Sequence, residues 1–91
     1  MKLFKSVDER LSDLGFTKIG DNDYGVHYER EIKEYNYIQI ISINHKASGK
    51  HIMLSYQKDV NTNGYNNAVG LTYLETKLFL KKMKQKGWLS K

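Results

Sequence analysis

The sequence has no cysteine and no proline among its 91 residues. The lack of cysteine excludes disulfide bonds, thiolate metal sites and cysteine nucleophiles. No apolar run approaches the ~20 residues that a membrane-spanning helix requires, and no signal-peptide core follows the charged residues at the N-terminus. We therefore expect a cytoplasmic protein without a membrane partner.

Arginine is also scarce, because Arg10 and Arg30 are the only two among 15 basic residues. Arginine is the usual choice for bidentate recognition of guanine and phosphate, so base-specific reading of the major groove is disfavoured. Lysine supplies the remaining positive charge and is concentrated at the end of the chain. From Lys77 to Lys91 there are six lysines and no acidic residue, although the whole chain has a net charge of only +5.

The length and composition of the chain are typical of one folded domain. A chain of 91 residues supports a single hydrophobic core, so we expect residues 1–91 to form one domain. The 40% of hydrophobic residues excludes the composition of a disordered chain. A core of this size leaves little room for a deep catalytic cleft, and we expect a protein that is not an enzyme and needs no cofactor.

Two capping boxes predict two helices. Ser6-x-x-Glu9 and Thr72-x-x-Glu75 each provide a hydroxyl at the N-cap and a glutamate three residues later, which together satisfy free amides at a helix start. We predict a short amphipathic helix over residues 5–14 and a longer helix from residue 72 to about residue 86. A glycine follows each helix at the position where a left-handed residue ends it.

Alternating apolar and polar residues predict strands over residues 24–31, 34–44 and 51–57. Residues 17–19 are predicted to be briefly extended. Residues 59–70 are predicted to form a long polar loop, because they contain four asparagines and two glycines. The predicted fold class is α+β: a two-layer sandwich in the order helix, three- or four-stranded antiparallel meander, helix, with both helices on one face.

The strand over residues 34–44 has apolar residues on both of its faces. Ile41 and Ile43 point one way, and Ile38 and Ile40 point the other way. Helices on one side of the sheet cover only one set. Either a bulge near residues 40–41 switches the alternation, or a partner subunit, a target protein or the polar loop covers the second face. The predicted protein interface has four residues: Tyr35, Tyr37, Ile41 and Ile43.

The second helix is rich in lysine. At 100° per residue, five residues are predicted to share one broad face: Tyr73, Thr76, Phe79, Leu80 and Met83. The lysines beside and behind that face form either an electrostatic strip for a nucleic-acid backbone or an acidic protein, or a solvated face that complements the helix dipole. The candidate nucleic-acid-binding residues are Lys77, Lys81, Lys82, Lys84 and Lys86.

Histidine and acidic residues form three patterns that contain parts of metal sites. His27, Glu29 and Glu31 share one strand face, where charged residues also protect an edge strand from aggregation. Asp23 with Glu31-Ile32-Lys33 is similar to the Asp … Glu-x-Lys pattern of a large family of metal-dependent nucleases. His45 and His51 flank a hairpin loop without an evident third ligand. We predict no metal site.

Two family resemblances follow from these motifs. The order of helix, three strands and helix is similar to double-stranded-RNA-binding domains, in which lysines at the start of the second helix contact phosphates. Here that start is Thr72-Tyr73-Leu74-Glu75, so the lysine motif is missing and the resemblance implies the topology alone.

The second resemblance is to small accessory proteins of Gram-positive phages and prophages. It is carried by Leu14-Gly15-Phe16-Thr17-Lys18-Ile19, by Asp23-Tyr24 and Tyr28-Glu29, and by the closing Lys86-Gly87-Trp88. The resemblance implies a protein that binds host proteins or nucleic acid and does not catalyse a reaction. Acidic mimics of DNA occur in this class, but this chain is basic.

These observations lead to three hypotheses. The first is a non-catalytic binding protein of phage or mobile-element origin. It would act through its sheet face or edge on a host protein or on a second copy of itself, so a homodimer is one expected form. The alternative is a nucleic-acid-binding accessory domain that uses the basic C-terminal helix. The third is a metal-dependent nuclease.

Overall fold

The computed structural model describes residues 5–46, 48–58 and 65–89, which form two helices and one antiparallel sheet. The elements are, in chain order, α1 (Val7–Asp13), β1 (Thr17–Asn22), β2 (Gly25–Ile32), β3 (Tyr37–His45), β4 (His51–Lys58), β5 (Tyr65–Ala68) and α2 (Tyr73–Gln85). The five strands lie in sequence order across the sheet, and every neighbouring pair is antiparallel. None of the helices among these described residues is long and apolar enough to cross a membrane.

The predicted class and element order are confirmed, and the sheet has one strand more than the three or four predicted. The added strand, β5, occupies Tyr65–Ala68, inside the segment 59–70 that was predicted to be a loop. Strand propensity does not predict β5, because asparagine and glycine dominate the segment and both are rare in strands. The conformation of β5 is instead determined by its pairing with β4. Residues 59–64 of the predicted loop lie outside the described residues.

Both capping boxes are confirmed. In α1, the Ser6 hydroxyl accepts a hydrogen bond from the Glu9 amide at 3.1 Å, and the Glu9 carboxylate accepts one from the Ser6 amide at 2.9 Å. Thr72 and Glu75 make the same pair of bonds at the start of α2. Each bond satisfies an amide that has no partner inside the helix. The helix starts are therefore encoded locally.

Glycine ends both helices, as predicted. Gly15 has φ +96° and Gly87 has φ +79°, a left-handed conformation that other residues rarely adopt. After Gly15 the Phe16 amide donates to the Leu11 carbonyl at 3.0 Å, and after Gly87 the Trp88 amide donates to the Met83 carbonyl at 3.0 Å. These bonds turn both aromatic side chains back into the core.

The register of the three central strands is unbroken. β2 pairs with β3, and β3 with β4, without a register shift, while the two irregularities in the sheet lie at the β1–β2 and β4–β5 pairs. A bulge near residues 40–41 is therefore wrong as an explanation of the apolar residues on both sides of β3. The side chains of β3 alternate strictly between the two faces of the sheet.

The hydrophobic core lies between the helices and one face of the sheet. Tyr28 and Phe16 contact the Phe79 ring with centroid distances of 5.5 and 5.2 Å. Ile41 and Ile43 lie beside them, and neither has any exposed surface. The buried core cluster consists of Val7, Leu11, Phe16, Val26, Tyr28, Ile41, Ile43, Leu78, Phe79, Met83 and Trp88.

The packing face of α2 differs from the predicted one. Tyr73 is 79% exposed and Leu80 is 42% exposed, although both were predicted to share one broad face with Phe79 and Met83, which are buried. Two charged residues, Glu75 and Lys82, are buried in their place. Apolar periodicity assigned this face incorrectly because Glu75 pairs with Arg30 of β2 and Lys82 pairs with Asp8 of α1, so both charges are buried with a partner.

Candidate functional site

The face of the sheet opposite the helices is the main candidate site, and we call it the open face. The register assigns to it alternate residues of the three central strands: His27, Glu29 and Glu31 of β2, Ile38, Ile40, Ser42 and Asn44 of β3, and Ile52, Leu54, Tyr56 and Lys58 of β4. The β2 residues are polar or charged, and the β3 and β4 residues are mostly apolar. Glu29 and Glu31 of β2 form an acidic border on one side of an apolar strip that crosses β3 and β4. The apolar strip consists of Ile38, Ile40, Ile52, Leu54 and Tyr56.

The apolar strip is accessible at its β4 side. Ile40, at the centre of the strip, is only 6% exposed, because it lies between the side chains of two neighbouring strands. Ile52 and Leu54 on β4 are 38% and 43% exposed. Large apolar side chains scattered singly on a surface are ordinary, whereas adjacent ones on a flat sheet face are typical of an interaction surface.

The residues predicted as the interface are not on the open face. Ile41 and Ile43 are completely buried under the helices, which corrects their assignment as contact residues. Tyr37 pairs with Ile32 on the helix side of the sheet and is half-buried. Tyr35 is 74% exposed in the turn between β2 and β3. The presence of apolar residues on both faces of β3 was predicted correctly, but the face away from the helices is that of Ile38 and Ile40.

Sequence reasoning missed Ile52 and Leu54, although a signal for them was present. His45 and His51, which flank the hairpin loop in the sequence, lie opposite each other in the structure. Counting back from this pair places Leu54 opposite Ser42, next to Ile40. The register of one hairpin would have assigned the β4 residues to the open face.

A depression of about 390 Å³ lies at one end of the open face, near the end of β2. Thr17, Glu29, Glu31 and Ile38 line it on this side of the sheet, together with Gly15 and Arg30 at its margin. Neither glutamate has an ion-pair partner within the described ranges. The depression is therefore a place where an incoming cationic side chain would meet two carboxylates.

The five candidate lysines fall into two groups. Lys82 is buried and its ammonium contacts the Asp8 carboxylate at 3.2 Å. Lys86 contacts the Asp21 carboxylate and the Asn22 carbonyl, and its ammonium lies 5.3 Å from the Trp88 ring centroid. These two lysines are already neutralised by the fold. They are therefore not available as a phosphate-binding strip.

The other three lysines, Lys77, Lys81 and Lys84, remain exposed on α2. The Lys77 ammonium lies 5.3 Å from the ring centroid of the exposed Tyr73. None of the three makes an ion pair with another of the residues that the structure describes. The predicted row of five lysines is thus reduced to three accessible charges on the layer opposite the open face.

Asp8 is the centre of the network that neutralises Lys82 of α2. Its carboxylate accepts hydrogen bonds from the Tyr28 hydroxyl at 2.8 Å, from Lys82 at 3.2 Å and from Lys18 at 3.3 Å. Burial by itself would raise the pKa of Asp8, but these three donors outweigh it and hold the pKa below its ordinary value. Burial, reinforced by the Asp8 charge, raises the pKa of the Tyr28 hydroxyl.

Arg30 organises a second polar network between the sheet and the helices. Its guanidinium donates to the Gln39 side-chain oxygen at 2.8 Å and pairs with the Glu75 carboxylate at 2.9 Å. It also lies 4.1 Å from the Phe16 ring centroid. Gln39 is completely buried and passes a hydrogen bond on to Ser55 at 2.9 Å. This arrangement is a satisfied structural network, because every one of its charges has a partner.

None of the three patterns is assembled into a metal site within the described residues, although His27, Glu29 and Glu31 do share one face of β2. The rings of His45 and His51 stack 4.9 Å apart and the His45 ring stacks on Trp88, so the two imidazoles lie face to face and do not converge on a shared ion. Asp23 lies in the turn before β2 and Glu31 lies near its far end, about 26 Å along an extended chain. The described residues contain no group of three or more side chains suited to hold a metal ion.

Comparison of the chain with protein-family models, with curated proteins and with solved structures gives no match.

Proposed function

We propose that this chain is a non-catalytic binding protein that acts through protein–protein interaction at the open face of its sheet. The observation that carries the proposal is the continuous apolar strip over β3 and β4, on the side that neither helix covers. Burial of such a strip against a partner gains about 25 cal/mol for each Å² of apolar surface removed from water.

The charge on the open face favours a protein over a nucleic acid as its partner. Glu29 and Glu31 border the strip, and their carboxylates would repel a phosphate backbone. Protein interfaces commonly combine an apolar centre with a polar rim, which is the arrangement found here. The resemblance to phage accessory proteins is our reason for proposing an origin in a phage or mobile element, and a cytoplasmic location.

The test compares two leucines of nearly equal exposure on opposite layers. Leu54 on the open face is 43% exposed, and Leu80 on α2 is 42% exposed. The wild-type protein and the variants Leu54→Glu and Leu80→Glu are each immobilised and incubated with an extract of the cells that encode the chain. Free wild-type chain is added to the extract, and the amount of every retained protein, including this added chain, is measured. We expect Leu54→Glu alone to lose them. Equal retention by all three proteins would contradict the proposal.

A second candidate function is nucleic-acid binding through α2, because Lys77, Lys81 and Lys84 are exposed and unpaired among the described residues. Fluorescence anisotropy with labelled single- and double-stranded DNA and RNA at rising salt tests it. Three phosphate contacts predict a log–log slope of about −2 to −3. Lys81→Glu with Lys84→Glu would abolish such binding, and no binding at low salt would exclude it.

A further inference from the structure

The open face carries opposite charges on its two sides. At one end of the face, Glu31 of β2, Ile38 of β3 and Lys58 of β4 form one cross-strand row. Glu31 and Lys58 are both exposed, and neither makes an ion pair within the part of the chain that the structure describes. They flank Ile38 with one strand spacing on each side, about 4.8 Å.

A two-fold axis converts this arrangement into a complementary pair. If a second copy packs face to face with its axis parallel to β3, then β3 lies over the partner's β3 and β2 lies over the partner's β4. Glu31 of one copy then opposes Lys58 of the other, and symmetry makes the same contact twice. Ile40 lies over its own counterpart at the centre. An axis perpendicular to the strands would leave both charged residues without an opposite charge.

The depression beside Glu29 and Glu31 fits the same geometry. It lies where the partner's Lys58 ammonium would arrive, and it places two carboxylates around that position. A lysine side chain reaches such a site with its charge while its methylenes remain on the apolar strip. The position of the depression and the pattern of charges therefore both place the contact at the row of Glu31, Ile38 and Lys58.

The size of the open face suits a small dimer. The five strands contain 6, 8, 9, 8 and 4 residues, and a rise of about 3.3 Å with a strand spacing of about 4.8 Å gives a face of about 550 Å². Stable interfaces commonly bury about 800 Å² per partner. The residues at the rims of the sheet need to supply only the difference between these two areas.

From these observations we infer that the partner of the open face is a second copy of this chain, packed sheet on sheet about a two-fold axis parallel to β3, with Glu31 of each copy paired to Lys58 of the other. This inference rests on the proposed function and names its partner. Sheets packed in this way keep their strand directions within about 30° of each other.

Sedimentation equilibrium of the full chain from micromolar to submillimolar concentration is the first test. We expect a monomer–dimer equilibrium whose dissociation constant rises at least about 100-fold in Leu54→Glu, because each dimer loses two buried leucines and gains two buried charges. Leu80→Glu stays within about twofold of the wild type, because it lies on the other layer. A wild-type chain that is monomeric throughout would overturn the inference.

A charge exchange tests the orientation without touching the core. Glu31→Lys and Lys58→Glu each replace two attractive contacts with two repulsive ones, and we expect each to weaken the dimer about tenfold at low salt. In the double variant both contacts again join opposite charges, with the two signs exchanged. We expect its dissociation constant to lie within about threefold of the wild-type value. A double variant as weak as the two single effects combined would refute the Glu31–Lys58 pairing.

A distance measurement distinguishes a two-fold axis parallel to β3 from one perpendicular to the strands. The chain has no cysteine, so Ser48→Cys in the β3–β4 hairpin provides a single site for a spin label. With the axis parallel to β3 both hairpins lie at the same end of the dimer, and the label separation is below about 30 Å. An axis perpendicular to the strands puts the hairpins at opposite ends, above about 40 Å apart, which would overturn the proposed arrangement.

The two proposals fail separately. A monomeric chain that still captures proteins from the extract in a Leu54-dependent manner would retain the proposed function and refute the second copy as the partner. A monomeric chain whose capture does not depend on Leu54 would refute both proposals.

Discussion

The two faces of the sheet are built from the same three central strands, but their side chains differ in exposure. The helix-covered face contains Val26, Tyr28, Ile41 and Ile43, none of which is more than 1% exposed. The open face has isoleucines on the same β3 strand, but β4 leaves Ile52 and Leu54 more than a third exposed. The comparison shows that apolar content alone does not distinguish a core face from a face that the helices leave uncovered.

The polar residues of the two faces also differ in kind. On the helix-covered face, Arg30, Gln39 and Glu75 satisfy one another through short hydrogen bonds and an ion pair. On the open face, Glu31 and Lys58 have no such partner among the described residues. A completed network stabilises a fold, and an uncompleted one leaves charges available to another molecule. This contrast can be tested with matched substitutions.

The largest expected difference is between two isoleucines on opposite faces. Ile41→Ala leaves a cavity under the helices and is expected to lower the free energy of unfolding by about 3–4 kcal/mol. Ile52→Ala removes the same atoms from a half-exposed position and is expected to cost about 1 kcal/mol. Chemical denaturation of dilute protein measures both. Equal costs would show that the two faces are equally buried.

A smaller difference is expected between two glutamates. Glu75→Gln preserves the capping box, because glutamine also accepts the N-cap bond, but it breaks the buried ion pair with Arg30. Because Arg30 keeps Gln39 and the Leu14 carbonyl as partners, we expect the change to cost about 2 kcal/mol of unfolding free energy, as for one hydrogen bond to a charged group. The same change at Glu31, which is exposed, is expected to cost less than about 0.5 kcal/mol. A matching loss at Glu31 would show that it has a structural partner.

The smallest effect is expected from pH. Burial opposes the ionised form of Asp8, but Tyr28, Lys82 and Lys18 favour it and keep its pKa below the ordinary 3.8. In the acid range the unfolded chain therefore binds more protons at this position. The contribution of Asp8 is fully present well above pH 3.8 and is lost as the pH falls through the lower, folded-state pKa.

Asp8→Asn removes this contribution, so the variant is expected to be less stable than the wild type near neutral pH and to lose less stability on acidification. Denaturant midpoints from neutral pH down to about pH 3 measure the difference. Parallel curves for the two proteins would show that the ionisation of Asp8 contributes nothing to the pH dependence of stability, and coincident curves would show that its network contributes nothing at all. The open-face variant Glu31→Gln is the control for removal of one carboxylate, since Glu31 lies outside the Asp8 network.

Much of the fold was predictable because its signals are local. The capping boxes at Ser6 and Thr72, and the left-handed glycines that follow the helices, act within a few residues. Strand alternation in β2 also held, with Val26 and Tyr28 buried. By contrast, β5 was missed because its pairing with β4 outweighs a loop-like composition. Tyr73 and Leu80 were misplaced because buried Glu75 and Lys82 take positions on the packing face of α2.

The sequence by itself determined where the helices begin and end, and that β3 has an apolar residue on each face, because neighbours within a few residues control capping and alternation. Only the tertiary structure decided that Ile38 and Ile40 face outward, since the register with Tyr28 turns Ile41 toward the helices. It also decided which lysines are neutralised, because Asp8 and Asp21 lie far from α2 in sequence. Such long-range pairs depend on how the elements pack, and no local sequence pattern predicts them.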